Sequence, residues 1–118
     1  MAGHILASGQ VYVSGQLPIA ADGSHNQAAS FEEQARLAMQ NMLAVVEAAH
    51  GSRDTVVRVT AYIVGTENWP VFNRVYAEAM GHARPARTVV PVPGLHYGYL
   101  VEIDAIALRR QADQASSA

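Results

Sequence analysis

The chain has 118 residues, half of them hydrophobic and 15% charged, which is the size of one domain with a single core. Its net charge is −2 and its eight basic residues form no stripe, so the sequence lacks the charge pattern of a nucleic-acid-binding protein. It contains no cysteine, which excludes disulfides and thiolate catalysis.

The N-terminal part of the chain predicts a β-hairpin. In "HILASGQVYVSGQ", residues 4–16, two short apolar runs flank a Ser-Gly-Gln segment at 8–10 that favours a turn. The next segment, "LPIAADGSHNQAA", is predicted to be a loop, because Pro18 and the Asp-Gly pair at 22–23 favour turns.

A first helix is predicted to begin at Ser30 or one turn earlier. Glu33 follows three residues later, and in this capping-box arrangement each side chain accepts a hydrogen bond from a backbone N–H group of the first turn. Gly51 is expected to stop the helix. Its apolar stripe recurs at helical spacing and consists of Ala35, Ala38, Met42, Val45 and Ala49.

A third strand and a second helix follow. "DTVVRVTAYIV", Asp54 to Val64, is rich in β-branched residues that alternate with others, which predicts a strand. Pro70 suits the first turn of the second helix, which is expected to end near Gly81. The apolar stripe of this helix is assigned to the core and consists of Phe72, Val75, Tyr76, Ala79 and Met80.

Two more strands complete the predicted order ββαβαββ, an α+β fold with two helices on one face of a mixed sheet. "TVVPV" is expected at a sheet edge or at a bulge because of Pro91, and "YGYLVEIDAIALRR" alternates over its whole length. The sheet face without helices is apolar enough to predict that several subunits cover it. The small charged fraction agrees with an oligomer, although a monomer with an alanine-rich surface stays open.

We expect residues 1–110 to form the single domain and residues 111–118 to be a disordered tail. The five histidines are scattered without ligand spacing, so no metal site is expected. No leader segment and no apolar run long enough for a membrane span is present, which predicts a soluble, cytoplasmic protein.

Two arginines in "HARPARTVVP" have different expected roles. A guanidinium binds a carboxylate or phosphate through two parallel hydrogen bonds, and Pro85 stiffens the segment before Arg87. Arg87 is therefore a candidate anion-binding residue, with an ordinary surface arginine before an edge strand as the alternative. We assign Arg84 to the loop.

Glu102 and Asp104 lie two residues apart on a strand face that is otherwise apolar. Such a setting raises the pKa of a carboxyl group and favours acid–base catalysis. The alternatives are that this face is solvated near its middle, or that a carboxylate pairs with Arg58 or Arg87.

Two further positions have weaker signals. Gly15, at the end of the second strand, lets backbone N–H groups approach a ligand anion, but Ser14-Gly15-Gln16 also suits a turn. Asn73 on the second helix is equally typical of a solvated helix surface. The sequence contains no GxSxG, P-loop, GxGxxG or HExxH motif, so serine-hydrolase, nucleotide-binding and zinc-protease functions have no support.

Six segments, in this order and spacing, resemble the RidA/YjgF family, which is also called the endoribonuclease L-PSP or translation-inhibitor family. The match extends from about Gly3 to Arg110. The segments are "YVSGQLP", "EEQARLAMQNMLAVVEAAHG", "VVRVTAYIV", "FNRVYAEAM", "RPARTVV" and "LVEIDAIALRR".

The resemblance implies a chorismate-mutase-like subunit and a homotrimer with three sites in the clefts between subunits. It also implies hydrolysis of reactive enamines and imines of amino acids to 2-oxo acids and ammonia, without cofactor or metal. Arg87 is similar in context to the family's carboxylate-binding arginine, and Glu102 to its water-positioning glutamate. The other implied substrate-binding positions are Ser14, Gly15, Asn73 and Val89.

Three departures predict a divergent subgroup with an altered pocket. Archetypal members carry a "GPYSQ"-like segment whose tyrosine lines the site, whereas this chain has "MAGHILASG" directly before its second strand. Val89 stands where a cysteine is common, and the segment between Asn73 and Arg87 is shorter than in archetypal members.

Enamine or imine deamination is therefore the leading hypothesis. A non-catalytic binder of small carboxylates, or a regulatory or chaperone-like trimer, is the alternative. Ribonuclease activity, which the older family name suggests, fits poorly with the charge of the chain.

Overall fold

The structure, a computed structural model, describes residues 3–110, so the expected tail at 111–118 lies outside the described residues. The order of elements is ββαβαββ, as predicted. The elements are β1 (Gly3–Ile5), β2 (Gln10–Gln16), α1 (Phe31–Ala48), β3 (Val56–Val64), α2 (Trp69–Met80), β4 (Ala86–Val92) and β5 (Val101–Leu108).

The strands form one five-stranded mixed sheet in the order β1-β2-β5-β3-β4. β3 and β4 are parallel, and the other neighbouring strands are antiparallel. A parallel pair needs a crossover connection, and α2 provides it between β3 and β4. β4 lies at an edge of this sheet, which confirms the position predicted from Pro91.

The core lies between the two helices and one face of the sheet. The predicted stripe of α1 is buried throughout, and Phe72 of α2 is fully buried. Alternate residues of the central strands face these helices. They are Val59, Ala61 and Ile63 in β3 and Val101, Ile103, Ala105 and Ala107 in β5.

The start of α1 confirms the predicted capping box, but its end differs from the prediction. Ser30 Oγ accepts a hydrogen bond from the Glu33 backbone N–H at 3.1 Å. At the other end His50, not Gly51, has the left-handed conformation, with φ 70°. The His50 N–H donates to the Glu47 carbonyl and the Gly51 N–H donates to the Val46 carbonyl. These are the two hydrogen bonds of a Schellman motif.

Gly51 has a steric role instead. A Cβ at this position would lie 2.8 Å from Thr55 Oγ1 and 2.9 Å from the Leu108 carbonyl, so only glycine fits. The predicted start of β3 at Asp54 was also wrong. Residues Arg53–Thr55 form a 3₁₀ turn, because the Thr55 Oγ1 and N–H groups both donate to the Ser52 carbonyl.

Among the elements of residues 3–110, no helix covers the sheet face turned away from α1 and α2, as predicted; we call it the open face. Its β2–β5 end is apolar: Tyr12 is 41% exposed and Leu108 is 44% exposed. The pairing of Tyr12 with Ile106 extends this apolar area. Along residues 3–110, no helix combines the length and apolar character needed to cross a membrane.

Candidate functional site

The Arg87 guanidinium lies against α2. Its Nη1 donates a hydrogen bond to Asn73 Oδ1 at 3.0 Å, and its Cζ lies 4.9 Å from the centre of the Tyr76 ring. Asn73 and Tyr76 are three residues apart and therefore lie on the same side of the helix. No carboxylate within residues 3–110 forms an ion pair with Arg87, so its positive charge is available to an external anion.

Tyr76 is neutral beneath this cation. Burial raises the pKa of its phenol, and this effect outweighs the opposing effect of the nearby Arg87 and Arg84 charges. The buried Tyr76 hydroxyl has no hydrogen-bond partner in the described part of the chain. The ring thus presents a neutral aromatic face to Arg87.

Val89 lies two residues after Arg87 on the same side of β4. It pairs with the buried Ala61 of β3, and its side chain packs against the core. Since this side chain packs against the core, the part of Val89 that lies along the sheet edge is its backbone. We call Arg87, Asn73, Tyr76 and Val89 the arginine half-site.

Glu102 lies on the open face, where a β-bulge in β2 makes room for it. Val13 pairs with Ala105 and Gln16 with Ile103, so the two residues Ser14 and Gly15 stand opposite one residue of β5. A Cβ built on Gly15 would overlap the Glu102 carboxylate. Glycine is therefore needed here to let this carboxylate lie against the β2 backbone.

Tyr62 lies directly opposite Glu102 in the neighbouring strand β3. Its hydroxyl donates to Asp104 Oδ2 at 3.2 Å. Burial, and then the negative charges of Asp104 and Glu102, raise the pKa of Tyr62, so the hydroxyl remains a donor. We call Ser14, Gly15, Tyr62, Glu102 and Asp104 the glutamate half-site.

The alternative in which Glu102 or Asp104 pairs with Arg58 or Arg87 does not occur among the described residues. Arg58 Nη2 donates to Thr88 Oγ1 at 2.8 Å, and Asp104 is bound to Tyr62 instead. Arg84 donates to the carbonyls of Gly81 and Ala83 at 2.7 and 2.9 Å, which confirms its assignment to the loop after α2.

The two half-sites lie on opposite faces of the sheet. Residues paired across adjacent strands point to the same face. Arg87 pairs with Val59, which is buried under the helices, whereas Glu102 pairs with Tyr62 on the open face. The structure therefore brings together the predicted residues of each half-site, but within one chain it does not bring Arg87 and Glu102 into one cleft.

Two residues of these half-sites escaped the sequence analysis. Tyr76 was assigned to the core, and it does pack there, but its ring also contacts Arg87. The available signal was its spacing of three from Asn73 on one helix. Tyr62 had no local signal, because only the register between β3 and β5 places it opposite Glu102.

No group of three histidine, aspartate or glutamate side chains converges as potential metal ligands between residues 3 and 110. The arginine half-site is cationic and aromatic, which suits an anion rather than a metal ion.

Comparisons with known proteins agree with the motifs in the sequence. Residues 3–109 match the family model described as Endoribonuclease L-PSP. A RutC family protein of Pyrococcus horikoshii is 34% identical over 105 residues, which are 89% of this chain and 83% of that protein.

Solved structures are also similar. TdcF of E. coli with bound serine has a TM-score of 0.82 and 31% identity, covering 92% of this chain and 86% of that one. RidA from the Antarctic bacterium Psychrobacter sp. has a TM-score of 0.82 and 30% identity, with coverage of 90% and 85%.

Proposed function

The chain belongs to the RidA/YjgF family, also called endoribonuclease L-PSP, and from this we propose that it hydrolyses reactive enamines or imines of amino acids. The overall reaction adds water to a 2-imino acid and releases a 2-oxo acid and ammonia. Only water and proton transfer are required, so the proposal includes no cofactor or metal.

The observation that carries the proposal is the arrangement of Arg87. Asn73 and Tyr76 hold its guanidinium, and no carboxylate in the described chain neutralises it. A planar guanidinium with an unused edge binds a carboxylate through two hydrogen bonds. We propose that this edge binds the substrate carboxylate, next to the Val89 backbone.

Glu102 supplies the chemistry in this proposal. Its carboxylate orients a water molecule and accepts a proton as the water oxygen attacks the C=N carbon. The resulting carbinolamine has one hydroxyl and one amino group on the same carbon. Glu102 passes this proton to the nitrogen as the carbinolamine forms. A second proton then moves from the hydroxyl through Glu102 to the amino group, so the C–N bond breaks, ammonia leaves and the C=O bond forms. Ser14 and Gly15 complete the substrate-binding surface.

A second copy of the chain is needed for this chemistry, because Arg87 and Glu102 lie on opposite sheet faces. We propose a homotrimer in which the arginine half-site of one subunit meets the glutamate half-site of the next. Such an assembly covers the apolar part of the open face and forms three equivalent sites. TdcF, solved with bound serine, is a relative that holds a small amino acid.

The first test is imine hydrolysis. An amino-acid oxidase generates 2-imino acids in solution, and the release of 2-oxo acid and ammonia is compared with the spontaneous rate. Two charge-assisted hydrogen bonds of about 1.5 kcal/mol each are worth about 100-fold in rate, so Arg87→Ala should lower kcat/KM by that factor. Arg84→Ala is the matched control, because the hydrogen bonds of this arginine within residues 3–110 go to the carbonyls of Gly81 and Ala83. A wild type no faster than the spontaneous reaction with several amino acids would refute the proposal.

The second test addresses the site between two chains. Arg87→Ala and Glu102→Gln subunits are each inactive in the proposal, but a mixed trimer contains sites built from two intact halves. Random mixing in equal amounts should restore about a quarter of the wild-type activity, since one site in four receives both halves. No recovery after unfolding and refolding the mixture would contradict a two-chain site.

A non-catalytic carboxylate binder is the second candidate. The observation in its favour is that Arg87, Asn73 and Tyr76 already lie together within one chain, without Glu102. In that case calorimetry would show binding of 2-oxo acids that depends on Arg87, while imine hydrolysis stays at the spontaneous rate.

Localisation in the cytoplasm stays a prediction for both candidates.

A further inference from the structure

We propose that Tyr76 is a positioning residue, whose aromatic ring holds the Arg87 guanidinium in the orientation that receives the substrate carboxylate. This inference rests on the proposed role of Arg87. It adds a residue that sequence reasoning placed in the core, and it assigns the function to the ring of Tyr76 rather than to its hydroxyl.

The geometry around Arg87 requires a second support besides Asn73. Arg87 is exposed near the start of an edge strand, and a long arginine side chain there populates many rotamers. The hydrogen bond from Nη1 to Asn73 Oδ1 fixes one end of the guanidinium but leaves rotation about that bond. The Tyr76 ring lies under the guanidinium, with its centre 4.9 Å from Cζ, and the attraction between the cation and the ring face opposes this rotation.

The Tyr76 ring is itself fixed by the core. Its centroid lies 5.9 Å from that of Phe72, at an angle of 42° between the ring planes, and Phe72 is fully buried. A rigid contact therefore extends from the core through Phe72 and Tyr76 to Arg87. β4 and α2 cannot move relative to each other without breaking this contact. The guanidinium therefore keeps one orientation relative to the fold.

The hydroxyl of Tyr76 does not explain why this residue is present. It is buried and has no hydrogen-bond partner in the described part of the chain, which is unfavourable for folding. Burial raises the pKa of the phenol, so the group is uncharged and does not compete with a substrate carboxylate for Arg87. The neutral aromatic face is what remains to act on the cation.

The experiment compares full-length variants that keep or remove this face. Pyruvate is the probe, and its Kd is measured by calorimetry together with KM and kcat for an imine generated in solution. Tyr76→Phe keeps the ring and should bind pyruvate like the wild type. Tyr76→Leu keeps an apolar side chain without the ring and should raise Kd and KM about tenfold, with kcat within about twofold.

A series of phenylalanines with increasing fluorination at position 76 separates positioning from packing. Fluorine weakens the negative charge on the ring face with little change in shape, so Kd for pyruvate should rise stepwise while the melting temperature stays constant. This series also tests the inference if Tyr76→Leu does not fold. Tyr97→Leu, at an exposed tyrosine in the 3₁₀ turn His96–Gly98, is the control for loss of an aromatic ring elsewhere.

The outcomes separate this inference from the proposed function. In one outcome the wild type binds pyruvate, Arg87→Ala does not, and fluorination at position 76 leaves Kd unchanged. This result overturns the role of Tyr76 and leaves that of Arg87 intact. If Arg87→Ala binds pyruvate as tightly as the wild type, or if the wild type does not bind pyruvate, the role of Tyr76 and the proposed role of Arg87 are both overturned.

Discussion

Replacing Gly15 with alanine should separate catalysis from stability in this protein. The new Cβ would overlap the Glu102 carboxylate and lie 3.0 Å from its Cδ and 3.3 Å from its Cγ. Gly15 does not have a positive φ, so alanine introduces no backbone strain at this position. The Glu102 carboxylate is therefore the group that must move.

The effects of Gly15→Ala on stability and on rate both follow from the displacement of the Glu102 carboxylate. Glu102 ends in a flexible, partly exposed carboxylate, so it can rotate away at little cost. Alanine also lowers the entropy of the unfolded chain, so the free energy of unfolding should change by less than about 1 kcal/mol. A displacement of about 1 Å at a catalytic group can cost about 100-fold in rate, or about 2.7 kcal/mol in the barrier. The loss of activity should thus far exceed the loss of stability.

The assay is steady-state imine hydrolysis combined with urea denaturation. Gly15→Ala should lower kcat about 100-fold and change KM much less, since Arg87, which binds the substrate carboxylate in the proposal, is untouched. Gly94→Ala is a matched control, because a Cβ at that position has no atom of the described chain within 4 Å apart from its chain neighbours. In the double variant with Glu102→Gln, alanine at position 15 should cause no further loss. Full kcat in Gly15→Ala would refute the role of the bulge in holding Glu102.

Two further predictions concern stability. His50→Gly should raise the free energy of unfolding by about 0.5–1 kcal/mol in urea, because His50 has φ 70° at the end of α1, and an unchanged or lower value would contradict this. Glu47→Gly, inside the last helical turn, should lower it by about 1 kcal/mol. Hydrogen bonds from Arg74 and Arg36 lower the pKa of Glu32 to about 2 from its usual 4.5. A lowered folded-state pKa stabilises the protein above pH 4.5, and the contribution disappears as the pH falls toward 2, so Glu32→Gln should destabilise at pH 7 and not at pH 2. The same difference at both pH values would exclude this linkage.

Local patterns predicted most of the fold. The capping box at Ser30 depends on residues three positions apart, and the alternation in β5 depends on residues two positions apart. Both are visible in a single segment of sequence. The left-handed conformation of His50 could not be predicted in this way, because glycine usually takes this position after a helix and Gly51 is the next residue.

The site was predicted only as a set of residues. Arg87 and Glu102 were identified from their sequence context, but their placement on opposite sheet faces depends on the pairing of β4 with β3 and of β3 with β5. The contact of Tyr76 with Arg87 likewise depends on how α2 packs over the edge strand. Such long-range pairings follow from the assembled sheet and leave no periodic signal in one segment.

Pro91 has a consequence for the behaviour of this protein at high concentration. An exposed sheet edge is a template on which other chains can add strands and form aggregates. β4 is such an edge, and in the proposed function the Val89 backbone on it must stay open to substrate. Proline has no backbone N–H group and cannot take part in a continuous ladder, so it protects the edge from strand addition while leaving the segment near Arg87 accessible.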